Sequence, residues 1–322
     1  MKKVKVGIIG VGRMGQYHLN IFSGLSECEV VGICDVDENK LINLSDRYNV
    51  PAYDDYKKLV KKSDALCIAT PTSTHYDIAK FVLESGKHLL LEKPMTNNYE
   101  QAEELVEISK KKNLVFQIGH IERFNGAVQQ LKNIIFHPYY IECRRLSPYD
   151  PRISDVGVVL DLMIHDIDII LNLIEDEISE INSLGNFILS KFEDVATTQI
   201  LFKNGCIAHL IASRISQKKE RTLIIMQKDS YVFLDYNTQD IEIHRRATSA
   251  YLLTPEEIRY SQEAFVEHLS IQKDNPLKLE DLHFLNCITK KEKPIVENEQ
   301  NLYTLKISLQ IIEQINKFRK NE

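Results

Sequence analysis

Two groups of residues have the types and spacing to do chemistry. Gly10-Val11-Gly12-Arg13-Met14-Gly15 is a GxGxxG run, preceded by the apolar Val4–Ile9 and followed by the helical pattern Met14–Phe22. In such a run the first glycine permits a tight turn, the second lets backbone approach a pyrophosphate, and the third lets helix pack on strand. The N–H groups of the helix start complete an anion site. Asp35 closes the next apolar run, where a carboxylate can accept hydrogen bonds from both ribose hydroxyls of an adenosine and would repel a 2′-phosphate. The expected cofactor is therefore NAD. The second group is a cation and a helix face. Lys93 stands before Pro94 just after the apolar run His88–Leu91, and Asp161, His165 and Asp168 are spaced i, i+4 and i+7. An imidazole aimed by a carboxylate, beside an ammonium, is equipped to take a proton from a hydroxyl.

These residues need a particular scaffold. Short apolar runs at Val4–Ile9, Val30–Cys34, Ala65–Ala69, His88–Leu91 and Leu114–Ile118 alternate with amphipathic stretches such as Ser73–Ser85 and Tyr99–Lys111. Runs of that kind are strands buried on both faces of a parallel sheet, with the amphipathic stretches as crossover helices. Thr70-Pro71 and Glu92-Lys93 then fall at the carboxyl ends of strands, where doubly wound sheets bind ligands. After Gly119 the rhythm changes. From Ile178 to His244, strand-like runs follow one another with turns such as Lys203-Asn204-Gly205 between them, which predicts an antiparallel sheet. Helical patterns occupy Val158–Ile174 before it, and Pro255–Ser270, Leu277–Ile288 and Asn301–Phe318 after it. The expected fold class is α/β, with a Rossmann domain over residues 1–119 and an α+β domain over 120–322.

The chain is similar to the Gfo/Idh/MocA oxidoreductases, through GIIGVGRMG at 7–15, ATPTSTH at 69–75, EKP at 92–94, GVVLDLMIHDID at 157–168 and PIVENEQ at 294–300. The resemblance implies a Rossmann domain followed by an open, mainly antiparallel sheet whose outer face makes homodimers or homotetramers. It implies that Lys93, Asp161 and His165 are catalytic. It also implies that Gly10, Gly12, Arg13, Met14, Asp35, Thr70, Pro71, His75, Glu92 and Lys93 serve the cofactor. GHIERFN (119–125), the arginine-rich segment 144–152 and the helix 155–170 resemble most the branch that oxidises the 3-hydroxyl of UDP-N-acetylglucosamine, yielding a keto sugar for later transamination toward lipid A. Dehydrogenases of inositols or free sugars share the catalytic residues, and a regulator that binds a dinucleotide without turnover is the non-enzymatic alternative.

Around the helix the assignments stay open. Arg123, Arg144, Arg145 and Arg152 are candidates for a wall that binds an anionic substrate alongside Asp161 and His165, or for salt bridges. On a strand Arg144 and Arg145 face opposite sides, so one of them at most enters the site. Asp168 is expected to tie the helix to the first domain. His165, Asp166 and Asp168 are metal-ligand types, but neighbours on a helix point about 100° apart, so no metal is expected.

Composition excludes several other classes. At 322 residues, 43% hydrophobic and 27% charged, the chain is long enough for two cores and is not of disordered composition. A net charge of −6 without a basic block gives no nucleic-acid footprint. No apolar run approaches the roughly 18 residues of a membrane span. Six scattered cysteines with no CxxC pair indicate a reducing compartment, expected to be the cytoplasm.

Overall fold

Six short apolar segments form one parallel sheet in the computed structural model, which describes residues 3–151, 155–246 and 264–319. The strands are β1 (Val4–Ile9), β2 (Cys28–Cys34), β3 (Ala52–Tyr53), β4 (Ala65–Ile68), β5 (His88–Glu92) and β6 (Phe116–Gly119). Their order is β3-β2-β1-β4-β5-β6, so the winding reverses between β1 and β4. The connecting helices are α1 (Arg13–Gly24), α2 (Glu38–Tyr48), α3 (Tyr56–Val60), α4 (His75–Glu84) and α5 (Tyr99–Lys111). Local chemistry sets their ends. The Asp37 carboxylate accepts from the Lys40 amide at the start of α2, Asn98 does the same for Gln101 on α5, and Asn49 ends α2 at φ 51°. β3 has two residues, too short to stand out as an apolar run.

α6 (Gly126–Ile134) leads into an eight-stranded sheet of order β14-β13-β12-β11-β7-β10-β9-β8. Its strands are β7 (Tyr140–Leu146), β8 (Ile178–Asn186), β9 (Val195–Phe202), β10 (Ile207–Ser213), β11 (Glu220–Met226), β12 (Ser230–Asp235), β13 (Asp240–Arg246) and β14 (Ala264–His268). Only β7 and β10 pair in parallel; the other neighbours are antiparallel. Between β7 and β8 lie a π-helical turn over Val159–Met163 and α7 (Ile164–Leu173), whose Ile167 and Ile170 pack on Leu210, Leu223 and Ile225 of the sheet. Strand alternation leaves Tyr140, Glu142 and Arg144 on the opposite face, with Ile207 and Met226 exposed. Among the described residues no helix covers that face.

The two sheets lie on either side of residue 120, but the helices do not keep to that division. α8 (Pro276–Thr289) places Phe284 and Leu285 in the core of the first sheet, against Val4, Leu19 and Ile33. α9 (Asn298–Arg319) puts Leu305 in a cluster with Leu91 and Ile118, and Ile307, Ile311 and Ile315 in the core of the second sheet. One expected helix is corrected. Of Pro255–Ser270, residues 264–268 form β14, an edge strand antiparallel to β13, and 255–263 lie outside the described residues. Ala264, Phe265 and Val266 satisfy the backbone by pairing with β13, a tertiary partner that local periodicity does not register.

Candidate active site

The turn after β1 sits where the sheet order reverses. Gly10 has φ +85°, and a Cβ there would lie 2.7 Å from the Ala69 backbone; a Cβ on Gly15 would lie 1.9 Å from the Gly10 carbonyl oxygen. Gly12 differs from both, because a Cβ there would meet nothing within 4 Å. That open space before the first turn of α1, where Arg13 and Met14 present their amides, is the cradle a pyrophosphate requires. Asp35 joins the loop to the end of β2. One carboxylate oxygen accepts from the Val11 amide at 2.7 Å and the other from the Asp37 amide at 3.0 Å, and the side chain remains partly accessible. These residues fit NAD: the glycines shape the pyrophosphate cradle and Asp35 stands at the ribose position.

Lys93, at the carboxyl end of β5, reaches into the second sheet's territory. Its ammonium donates to the Asp161 carboxylate at 2.9 Å and to the Asp161 carbonyl at 2.7 Å, and the two side chains are 17% and 14% exposed. Asp161 lies in the π turn, which widens the helix at this point. His165 is in the first turn of α7. Its Nδ1 is buried without a hydrogen-bond partner, while the ring as a whole is partly accessible, so Nε2 is the nitrogen open to the cleft. Burial, and then the charge of Lys93, hold its pKa well below the ordinary 6.5. The imidazole is therefore neutral, and a base, at neutral pH.

Of the four arginines expected to form an anion-binding wall, the three that are described are engaged elsewhere. Arg123 donates to both carboxylate oxygens of Asp168 at 2.6 and 3.0 Å, with side-chain exposures of 4% and 1%. Arg145 grips Asp166 at 2.8 and 3.0 Å and Glu122 at 2.8 Å, and lies over the Tyr236 ring. Both guanidinium groups are spent inside the molecule, tying the 120–125 segment and β7 to α7. Arg144 points to the opposite face of the sheet and pairs with Glu220 at 2.9 Å. Arg152 lies outside the described residues.

Two side chains assigned to the cofactor face elsewhere. The Glu92 carboxylate turns inward to His18 Nε2 at 3.0 Å, while His18 Nδ1 meets Asp281 of α8 at 2.7 Å. Burial alone would lower the His18 pKa, but the neighbouring Cys67 and Asp281 raise it well above 6.5. Asp281 is itself pushed up to about 6, chiefly by burial. Glu280 beside them has both carboxylate oxygens buried without partners, and burial raises its pKa well above the usual range. His75 is also buried, with Nδ1 2.9 Å from the Pro94 carbonyl and Nε2 2.9 Å from the Thr70 carbonyl. It fastens the Thr70-Pro71 loop to the Lys93 turn. Thr70 accepts from the Thr74 hydroxyl at 2.8 Å, and Pro71 is exposed at the mouth.

Several residues that position the site carry no motif. Asp155 accepts from the Thr72 amide at 2.7 Å, linking the loop after β4 to the segment that leads into the π turn and α7. Glu193 accepts from the Val159 amide at 3.2 Å, and a Cβ on Gly157 would lie 2.0 Å from that carboxylate. Arg214 holds Asp194 at 2.7 Å and the Val156 carbonyl at 2.9 Å. A glycine before an apolar helix was the one legible sign of this buttress.

A dinucleotide cradle on a doubly wound sheet, opening toward a Lys–Asp pair and a neutral histidine on a helix of a second sheet, defines an NAD-binding Rossmann oxidoreductase. Residues 4–120 match the oxidoreductase family with an NAD-binding Rossmann fold, and 118–232 match the Gfo/Idh/MocA C-terminal domain. The chain belongs to the Gfo/Idh/MocA family. It is 33% identical over 247 residues to UDP-N-acetylglucosamine 3-dehydrogenase of Acidithiobacillus ferrooxidans, covering 76% of this chain and 78% of that one. The solved structure of that enzyme superposes with a TM-score of 0.87 at 29% identity, covering 99% of each chain. The scyllo-inositol 2-dehydrogenase (NAD(+)) of Bacillus subtilis is 25% identical over 95% of this chain and 92% of its own. Among the described residues no helix is long and apolar enough to cross a membrane.

Proposed function

We propose that the protein is an NAD-dependent sugar dehydrogenase that oxidises a ring hydroxyl to a ketone, with the 3-hydroxyl of UDP-N-acetylglucosamine as its substrate group. The observation that carries the reading is the Lys93–Asp161 pair beside the open Nε2 of His165, set at the carboxyl ends of the Rossmann strands. The 33% identity to a UDP-N-acetylglucosamine 3-dehydrogenase supports the choice of substrate over an inositol. NAD, when bound, accepts hydride at the nicotinamide ring. His165 takes the hydroxyl proton at Nε2, since its lowered pKa keeps that lone pair free. Lys93 points its ammonium at the oxygen that becomes an alkoxide and stabilises the developing charge. Asp161 holds Lys93 through two acceptors, so the ammonium is oriented before substrate arrives. The ketone product suits a later transamination to an amino sugar. The open outer face of the eight-stranded sheet is where copies of the chain would meet, as a homodimer or homotetramer.

The deciding experiment mixes the purified protein with NAD and a panel of UDP-sugars, free N-acetylglucosamine and inositols, following NADH absorbance with and without 2-oxoglutarate as a recycling acceptor. Turnover confined to UDP-N-acetylglucosamine is expected. Turnover of an inositol in its place rejects the substrate assignment, and NAD binding without turnover of any polyol rejects the catalytic one.

A further inference from the structure

The structure supplies a further cation on the face where Arg123 and Arg145 are spent in internal ion pairs. Arg221, on β11, lies opposite Arg145 of β7 in the strand register, and Leu223 and Ile225 two and four residues on face α7. Arg221 therefore shares the sheet face that carries the catalytic helix. Arg145 is saturated by Glu122 and Asp166. Arg221 makes no side-chain hydrogen bond or ion pair among the described residues, although it is only partly accessible. Lys219, two residues earlier and exposed, is likewise without a partner and lies close enough to Arg221 and Arg13 to feel their charge. Arg13, exposed, donates to the Tyr17 hydroxyl and has no ion-pair partner among the described residues. Arg221 lies on β11, Lys219 just before that strand and Arg13 at the start of α1. The charges of Glu122, Asp166 and Asp161 reach Arg221, but among the described residues none of them forms an ion pair with it. Holding the Arg221 guanidinium partly buried without an ion pair, beside another cation, is unfavourable unless an anion joins it.

We propose that Arg221, assisted by Lys219, is the subsite for the diphosphate of a nucleoside-diphosphate sugar, anchoring it so that its sugar ring extends to Lys93 and His165. A guanidinium donates in a fork that matches a phosphate's oxygens, and an ammonium adds a second, more mobile donor. Arg13, at the start of α1, remains with the cofactor's own pyrophosphate. The subsite rests on the nucleotide-sugar reading above and names the residues that would distinguish such a substrate from a free polyol.

The test is calorimetric titration of UDP and of uridine into the NAD-loaded protein, for the wild type, Arg221→Gln, Arg221→Lys and Lys219→Ala, with NAD affinity measured on each as a check of folding. One charge-assisted hydrogen-bonding group corresponds to about 10–100-fold in affinity. Arg221→Gln should weaken UDP by about that factor, Arg221→Lys by less and Lys219→Ala by a few-fold, with NAD affinity and the weak binding of uridine unaltered. The KM for the UDP-sugar should rise far more than kcat falls. Unchanged UDP affinity in Arg221→Gln overturns the subsite while leaving the dehydrogenase reading intact. A loss of NAD affinity in both Arg221 variants also overturns it, by assigning the cations to the cofactor. Wild-type protein that ignores UDP but oxidises an inositol rejects the nucleotide-sugar reading and the subsite with it.

Discussion

In the proposed reaction Lys93 and His165 divide the work of one proton transfer, and their surroundings set which does what. Lys93 is held by the carboxylate and carbonyl of Asp161, whereas His165 has no partner on its buried Nδ1 and an open Nε2. Replacing either residue by alanine should lower turnover by about 10²–10⁴-fold with NAD binding kept, as steady-state kinetics and a cofactor titration would show. Unaltered turnover in both variants would remove them from the chemistry. The pH profile carries the sign of the His165 shift. Its pKa lies below 6.5, so the base form persists in mild acid and the acid limb of kcat/KM should fall below pH 6.5. Part of that depression comes from the Lys93 charge, so in Lys93→Met the imidazole, followed by NMR, should titrate closer to 6.5. All three catalytic candidates were legible in the sequence because each sits in a contiguous motif. Arg221 was not legible, because only strand pairing reveals which face it shares and with whom.

At the level of elements, α7 is anchored by charge as well as by its apolar side. Arg123 with Asp168, and Arg145 with Asp166 and Glu122, join α7 to the 120–125 segment and to β7. Asp168→Ala would leave the Arg123 guanidinium buried and unpaired, which costs about 3–5 kcal/mol. Chemical denaturation should show that loss, and a change under about 1 kcal/mol would mean the pair is not what fastens the helix. Strand alternation correctly separated Arg144 from Arg145 in the sequence, yet could not say that the inward one would be neutralised. The π turn at Val159–Met163 was equally hidden, since i, i+4, i+7 spacing presumes regular α geometry. The helix expected at 255–270 failed over 264–268 for the opposite reason: the segment reads as helical alone and becomes an edge strand when β13 offers it hydrogen bonds.

Over the whole molecule, the parallel and antiparallel halves were legible from rhythm, because burial on two faces and burial on one write different patterns. Among the described residues no helix covers the outer face of the eight-stranded sheet, and Ile207 and Met226 are exposed on it. Sedimentation velocity should therefore find a dimer or tetramer that Met226→Glu shifts toward monomer. A wild-type monomer at micromolar concentration would place assembly elsewhere or nowhere. Phe284 and Leu285 have a consequence of another kind. They come from near the carboxyl end yet finish the core under β1, so the nucleotide-binding half is not a cassette. Any exchange of substrate halves between relatives, by recombination or by engineering, has to carry α8 with the amino-terminal part or supply a helix of the same shape.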